Sequence, residues 1–191
     1  MHFLIVATTL RPGKGTAWVA QTFGAACASQ KSEDELLDLS SASLPWSDGS
    51  LYFEDPSVLV ATARERSNKA AIPCFQVYSD QADAAAKNFV EVTSDSSKSI
   101  VVGLVASGCT DRSYLAPLSL ANSLMGDHRC VIDPRSVFVT PEKFTADGVL
   151  AADGETACAS PIYLEMSRNS NRTGPRKNLP PDLSTSHDTS L

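Results

Sequence analysis

Between the apolar run His2-Phe3-Leu4-Ile5-Val6-Ala7 and a segment that can open a helix at Thr16 lies a short loop dense in anion-binding groups. It contains Thr8, Thr9, Arg11, Pro12, Gly13, Lys14 and Gly15. Hydroxyls donate hydrogen bonds, and Arg11 and Lys14 neutralise negative charge. A strand running into a helix start adds free backbone N–H groups and the positive end of the helix dipole. This composition suits a terminal phosphate monoester. It is not a Walker A loop, because Thr8 stands at the first glycine position and Gly15 follows Lys14 directly. It is not G-x-G-x-x-G either, so the dinucleotide fingerprint is missing. Read blandly, the same residues are a polar connection in which Gly13 and Gly15 serve turn geometry.

The elements that must position this loop follow from the patterning. His2 to Ala7 reads as a strand buried on both faces. Thr16 to about Ser29 reads as a helix with Val19, Ala20, Phe23 and Cys27 on one face. A strand at Glu35–Leu39 follows, then a long loop over Ser40–Pro56 and a helix over about Ser57–Lys69. Ala71–Val77 reads as a strand despite Pro73, which cannot donate to a ladder. Asp80–Thr93 is helical in pattern, Ser99–Ala106 is a buried strand, and Ser113–Met125 is helical with Pro117 restricting its start. Cys130–Ile132 and Val137–Val139 give the last strand, and Glu155–Met166 a weak helix. Strands alternating with helices imply βαβ units on a parallel sheet. The expected fold is α/β: a flavodoxin-like three-layer sandwich with a five-stranded parallel sheet of order 2-1-3-4-5. Ligands of such sheets bind at the carboxyl ends of the strands, beside the switch point between strands 1 and 3. That directs attention to the loops after Ala7, Val77 and Ala106.

Composition narrows the classes. The 191 residues carry 16 basic and 22 acidic side chains, a net charge of −6, which argues against nucleic acid as the main partner. Residues 167–191 are rich in Ser, Thr, Asn and Pro, with four basic and two acidic side chains. Such a segment buries too little to offset its ordering entropy, so a polar, disordered tail is expected after a domain over 1–166. No apolar run approaches the ~20 residues that span a bilayer. The five cysteines are odd in number, widely spread and without a metal-ligand spacing. We expect a cytoplasmic, reduced protein with no membrane and no metal.

Three segments carry a likeness. Val6 to Thr16 resembles the Ser-rich, Arg-containing FMN-phosphate loop of NAD(P)H-dependent FMN reductases, flavodoxin-like flavoproteins. Val77-Tyr78-Ser79-Asp80, followed by Ala84-Ala85-Ala86-Lys87-Asn88-Phe89, resembles that family's Pro-x-Tyr-Asn turn and the helix behind it. Ser113-Tyr114-Leu115, Leu120-Ala121-Asn122-Ser123-Leu124-Met125 and Arg129-Cys130-Val131-Ile132 are similar to its fourth helix and fifth strand. The likeness covers about Met1 to Thr140. It implies that Thr9, Arg11, Lys14 and Thr16 hold the FMN phosphate. It implies that Val77, Tyr78, Ser79 and Asp80 turn against the flavin ring, with Ser107, Gly108 and Cys109 forming a second ring-side loop. The sequence departs from the family at Gln76, where Pro is usual, and at Ser79, where Asn is usual.

What the resemblance implies for function is an NAD(P)H-dependent oxidoreductase with FMN and NADPH as cofactors. Hydride would pass from the nicotinamide to the flavin, and then to a flavin, quinone or similar small-molecule electron acceptor. Backbone N–H groups at Gly108 and its neighbours are candidates to stabilise charge on the reduced ring. No side-chain acid or base is required, so no catalytic residue is assigned. A homodimer or homotetramer is the implied assembly. The alternative is a non-catalytic flavodoxin-like protein that has weakened or lost FMN binding and acts through protein interaction.

Other groups read more simply. His128 beside Asp127 fits a helix-end turn better than an acid/base pair. Cys109 reads as a small packing residue, Trp18 and Trp46 likewise, and Arg64, Glu65, Arg66 and Lys69 as a solvated helix face. No Gly-x-Ser-x-Gly elbow is present.

Overall fold

Apolar and β-branched residues with no polar partner requirement on either face belong in the middle of a sheet. The run at the amino terminus does this: in β1 (His2–Ala7) every residue after His2 is buried. The structure is a computed structural model that describes residues 2–11, 15–29, 33–49, 54–68, 70–93 and 98–145. The chain continues through α1 (Thr16–Ser29), β2 (Glu33–Asp38), the single turn α2 (Leu39–Ala42) and α3 (Pro56–Ser67). Then come β3 (Ala70–Tyr78), β4 (Gln81–Ala82), α4 (Ala84–Val92), β5 (Val101–Val102) and β6 (Val105–Ser107). Finally α5 (Pro117–Gly126) leads into β7 (Val131–Ile132) and β8 (Val137–Val139).

β2 and β3 flank β1 in parallel; β5 and β6 pair with β3, and β7 and β8 pair with them in turn. Taking β5 with β6 and β7 with β8 as two interrupted strands, the order is the expected 2-1-3-4-5. Two details differ from the expectation. Strand 4 is broken in two, as strand 5 is expected to be, and β4 adds an antiparallel hairpin arm to the end of β3.

Pro73 explains the break. It sits inside β3, opposite Val6 of β1. On the other side, Ala71 pairs with Val102 and Cys74 with Val105, so Gly103 and Leu104 lie opposite Ile72 and Pro73 in unbroken register, with the Gly103 N–H donating to the Ala71 carbonyl at 3.0 Å. The missing N–H of Pro73 faces the one place where no ladder bond is asked of it. Pro117 is accommodated differently. It occupies the first turn of α5, where its N–H would be an orphan, and a short 3-10 turn (Asp111–Ser113) precedes it.

Strand alternation divides the core. Odd residues of β1 (Phe3, Ile5, Ala7) join Ile72, Cys74, Val105, Val137 and Val139 on the face covered by α1, which contributes Val19, Ala20, Phe23 and Cys27. Even residues (Leu4, Val6) join Ala71, Phe75, Val77, Ala106 and the helices α3, α4 and α5 on the opposite face. A buried Phe such as Phe23 contributes on the order of 2–3 kcal/mol through removal of its surface from water. Two readings of the solvated helix face are corrected here. Glu65 is buried, and Arg64 is paired at 3.1 Å with Glu35 of the neighbouring strand. Lys69, the helix over 155–166 and the tail 167–191 lie outside the described residues.

Candidate cofactor site at the carboxyl edge

The loops after β1, β3 and strand 4 meet at one edge of the sheet. Thr8 continues β1 toward the α4 face and is fully buried. Its N–H donates to the Cys74 carbonyl at 3.0 Å, and its hydroxyl donates to Asp83 Oδ2 at 2.6 Å. Asp83 also accepts from the Gln76 N–H at 2.8 Å and, as the N-cap of α4, from the Ala86 N–H at 2.7 Å. One carboxylate thus ties the first loop, the end of β3 and the start of α4 together. This residue was hidden in the sequence because Asp80–Thr93 reads as one helix. The signal that exposes it is an Asp three residues before Ala86 at the head of an Ala-rich run.

Around this brace the expected site residues take different places. The Thr9 hydroxyl accepts from the Arg11 N–H at 3.2 Å, which folds the loop back on itself, and Arg11 is exposed. Lys14 lies outside the described residues. Gly15 adopts a left-handed φ of 60°, and its carbonyl accepts from the N–H groups of Trp18 and Val19 at the head of α1. Thr16 is 1% exposed, and its Oγ1 has no hydrogen-bond partner among the described residues. An unpaired buried hydroxyl costs free energy, so one at a helix N-terminus marks a place where a bonding group is missing.

The second loop is a two-residue hairpin. Ser79 and Asp80 have φ values of 50° and 60°, and Tyr78 pairs with Gln81 across them, which is the geometry of a type I′ turn. Val77 packs into the core with Phe75, leaving only its backbone for a ligand, whereas the Tyr78 ring is 66% exposed. Three serines lock this hairpin and α4 against α5. The Ser113 hydroxyl bonds Asp80, Ser119 Oγ accepts from the Ala82 N–H, and Ser123 Oγ accepts from Lys87 Nζ.

The third loop begins at buried Ser107, which pairs with Gln76 on one side and Val139 on the other. Gly108 is held close to Phe138: a Cβ there would stand 2.5 Å from the ring. Its N–H donates to the Val139 carbonyl at 3.0 Å, so that amide extends the sheet and is not the charge-stabilising donor expected from the sequence. Cys109 is exposed, which removes its reading as a packing residue. Trp46 is likewise exposed and, with Leu10, Leu39, Leu44 and Asn88, lines a pocket of about 230 Å³ beside the first loop. Asn88 fixes that wall: its Oδ1 accepts from the Ser47 N–H and its Nδ2 donates to the Pro45 carbonyl.

Among the described residues no group of three or more His, Cys, Asp or Glu side chains could hold a metal ion, and no helix is long and apolar enough to cross a membrane. What the edge offers is a helix start, an open hydroxyl and polar loops around a switch point.

Solved structures with this arrangement decide the fold. A flavoenzyme NAD(P)H:(acceptor) oxidoreductase, FerB from Paracoccus denitrificans, superposes with a TM-score of 0.74 at 16% identity, over 90% of this chain and 97% of that one. The fold is flavodoxin-like. The apo form of an NADH:FMN oxidoreductase, EmoB, gives 0.71 at 12% identity over 88% of this flavodoxin-like chain and 89% of its own. RosB, solved with a bound 8-demethyl-8-formylriboflavin-5'-phosphate intermediate, gives 0.59 at 13% identity over 100% and 97%. No protein-family model matches the chain, and the search of curated proteins returned no match. The flavodoxin-like assignment therefore rests on shape, with the site built from this chain's own residues.

Proposed function

We propose that the chain is an NAD(P)H-dependent flavin oxidoreductase that binds FMN at the carboxyl edge of the sheet. The observation that carries this reading is Thr16: a buried hydroxyl without a partner among the described residues, at the first turn of α1, directly behind the left-handed Gly15. The donor set fits a phosphate monoester, with Thr9 and Arg11 in the same loop and Lys14 next to Gly15 in sequence. Solved neighbours that are NAD(P)H or FMN oxidoreductases support the same reading.

Each residue then has a physical task. Thr16 would donate its hydroxyl to a phosphate oxygen, and the free N–H groups at the head of α1 would share the charge. Arg11, exposed at the rim, would supply a mobile positive charge for the phosphates of FMN or of the incoming nicotinamide nucleotide. Tyr78, Ser79 and Asp80, held by their hairpin and by Ser113, would present a rigid wall to one side of the ring. Ser107, Gly108 and Cys109 would form the other, with Gly108 kept small by Phe138. FMN bound there would supply the redox chemistry, taking a hydride from NADPH and passing reducing equivalents to a flavin, quinone or similar small-molecule acceptor. The protein contributes position and water exclusion, and the Asp83 carboxylate is engaged by the Thr8 hydroxyl and the Gln76 and Ala86 N–H groups rather than by proton transfer.

Tyr114, Leu115 and Leu118, all more than half exposed, lie before and within the first turn of α5. We read this apolar strip as the seat of a second copy in a homodimer or homotetramer, with the site in the cytoplasm. The same strip would also serve the second reading, a flavodoxin-like protein that has lost FMN and acts through protein contacts. Titration of the purified chain with FMN, followed by anaerobic NADPH, separates them. Quenched flavin fluorescence and rapid bleaching of bound flavin are expected. A chain that leaves FMN fluorescence unchanged is the second reading instead.

A further inference from the structure

Gln76 stands where the resembling family has proline, and its surroundings give the replacement a task. Its backbone is fully engaged: the N–H donates to Asp83 Oδ2 at 2.8 Å and the carbonyl accepts from the Asp83 N–H at 2.9 Å. The side chain takes no part in that exchange. Strand parity puts it on the α1 face, one tier beyond buried Ile72 and Cys74. There it is only partly covered, and its Oε1 reaches the first loop: a Cβ on Gly15 would lie 3.2 Å from it. Across the ladder it is directly opposite Ser107, whose side chain shares that face.

A half-buried amide at the end of an otherwise apolar column carries a desolvation cost unless a ligand completes its hydrogen bonds. The position lies between the Gly15–Thr16 helix start and the loop that Ser107 opens. A phosphate on Thr16 and a ring between the second and third loops would be joined across this gap by a flexible, hydroxylated chain. We infer that Gln76, with Ser107 beside it, is the polyol-binding element of the site: its amide donates to and accepts from the hydroxyls of the ribityl chain. Proline could offer neither bond. Gln76 is therefore a specificity-determining residue for flavins that carry the sugar alcohol, whether or not they carry phosphate. This inference rests on the flavin reading above.

The test compares three ligands on the full chain by fluorescence-quenching titration: FMN, riboflavin, and lumiflavin, which has the ring but no polyol. Gln76→Ala and Gln76→Met are each expected to weaken FMN and riboflavin about tenfold, the scale of one or two lost hydrogen bonds, and to leave lumiflavin unchanged. Met keeps the length and volume of Gln and serves if the alanine variant loses its circular-dichroism signature. Unchanged affinity for FMN and riboflavin, or an equal loss for lumiflavin, overturns the inference while the flavin reading stands. Failure of the unmodified chain to bind any of the three removes both together.

Discussion

The hydroxyl of Thr8 donates a 2.6 Å hydrogen bond to Asp83 Oδ2, joining the loop after β1 to the head of α4 in the buried edge of the sheet. Two residues far apart in sequence thereby fix the spacing between the first loop and the hairpin. Asp83→Ala would leave three donors, the Thr8 hydroxyl and the N–H groups of Gln76 and Ala86, without their acceptor. A loss of about 3 kcal/mol is expected, read from the urea midpoint, with flavin affinity falling alongside it. Thr8→Val should cost less, about 1–2 kcal/mol, because only one donor is removed.

Thr16 should separate stability from binding. Thr16→Val deletes a buried hydroxyl that has no partner among the described residues, so the ligand-free protein should melt at the same temperature or slightly higher. FMN affinity should nevertheless fall about tenfold, while riboflavin, which lacks the phosphate, should bind as before. Thr16→Ser should restore FMN.

Gly108 is set by space. With Phe138 Cζ 2.5 Å from the position of an added Cβ, Gly108→Ala must push the ring aside. The expected cost is about 1–3 kcal/mol, typical of overpacking, measured by thermal unfolding. Pairing it with Phe138→Leu should recover most of that loss, which a purely conformational effect at residue 108 would not allow.

Thiol reactivity should follow burial. Desolvation raises the Cys27 thiol to about 11, with the Asp34 carboxylate adding to the shift, and complete burial pushes Cys74 further up. A raised thiol pKa keeps the neutral form up to higher pH. Even at pH 9 only about 1% of Cys27 would be thiolate. In native protein treated with iodoacetamide at pH 8, peptide mapping should show Cys109 alkylated and Cys27 and Cys74 protected. Unfolding in urea should expose all three.

Assembly can be read directly. Leu118, 61% exposed on α5, would lie inside a contact between copies if the strip it shares with Tyr114 and Leu115 is covered. Leu118→Glu should shift the sedimentation coefficient toward a monomer without altering the melting of the isolated chain.

Much of the architecture is legible in the residues because the periodicity is strong. β1 and α1 fall where the apolar runs put them, and the sheet order follows from the alternation of strands and helices. The misreadings have local causes. The hairpin at Ser79–Asp80 has no glycine, both residues taking left-handed φ without it, so only the family resemblance marks a turn there. Asp83 was absorbed into a longer helix because Ala84, Ala85 and Ala86 propagate helix so readily. Gly108 was given a free amide because pairing with Val139 depends on strand 5, whose two short pieces carry little pattern of their own. At the candidate site, the gathering of Thr9, Arg11 and Thr16 at the head of α1 is legible from composition and position. Gln76 and Asp83 are not, because their importance lies in what two distant loops do to each other.

The break in strand 4 opposite Pro73 splits the sheet crosswise. On the amino side, β5 pairs with β7; on the carboxyl side, β6 pairs with β8 and leads into the loop that begins at Ser107. The fourth and fifth strands thus cross the sheet as two short planks rather than one. Between the two halves strand 5 carries four residues, 133–136, against Gly103 and Leu104 in strand 4, so a change of length there leaves Val101 and Val102 paired with Val131 and Ile132. Such a seam lets the business edge be remodelled while the foundation keeps its alignment.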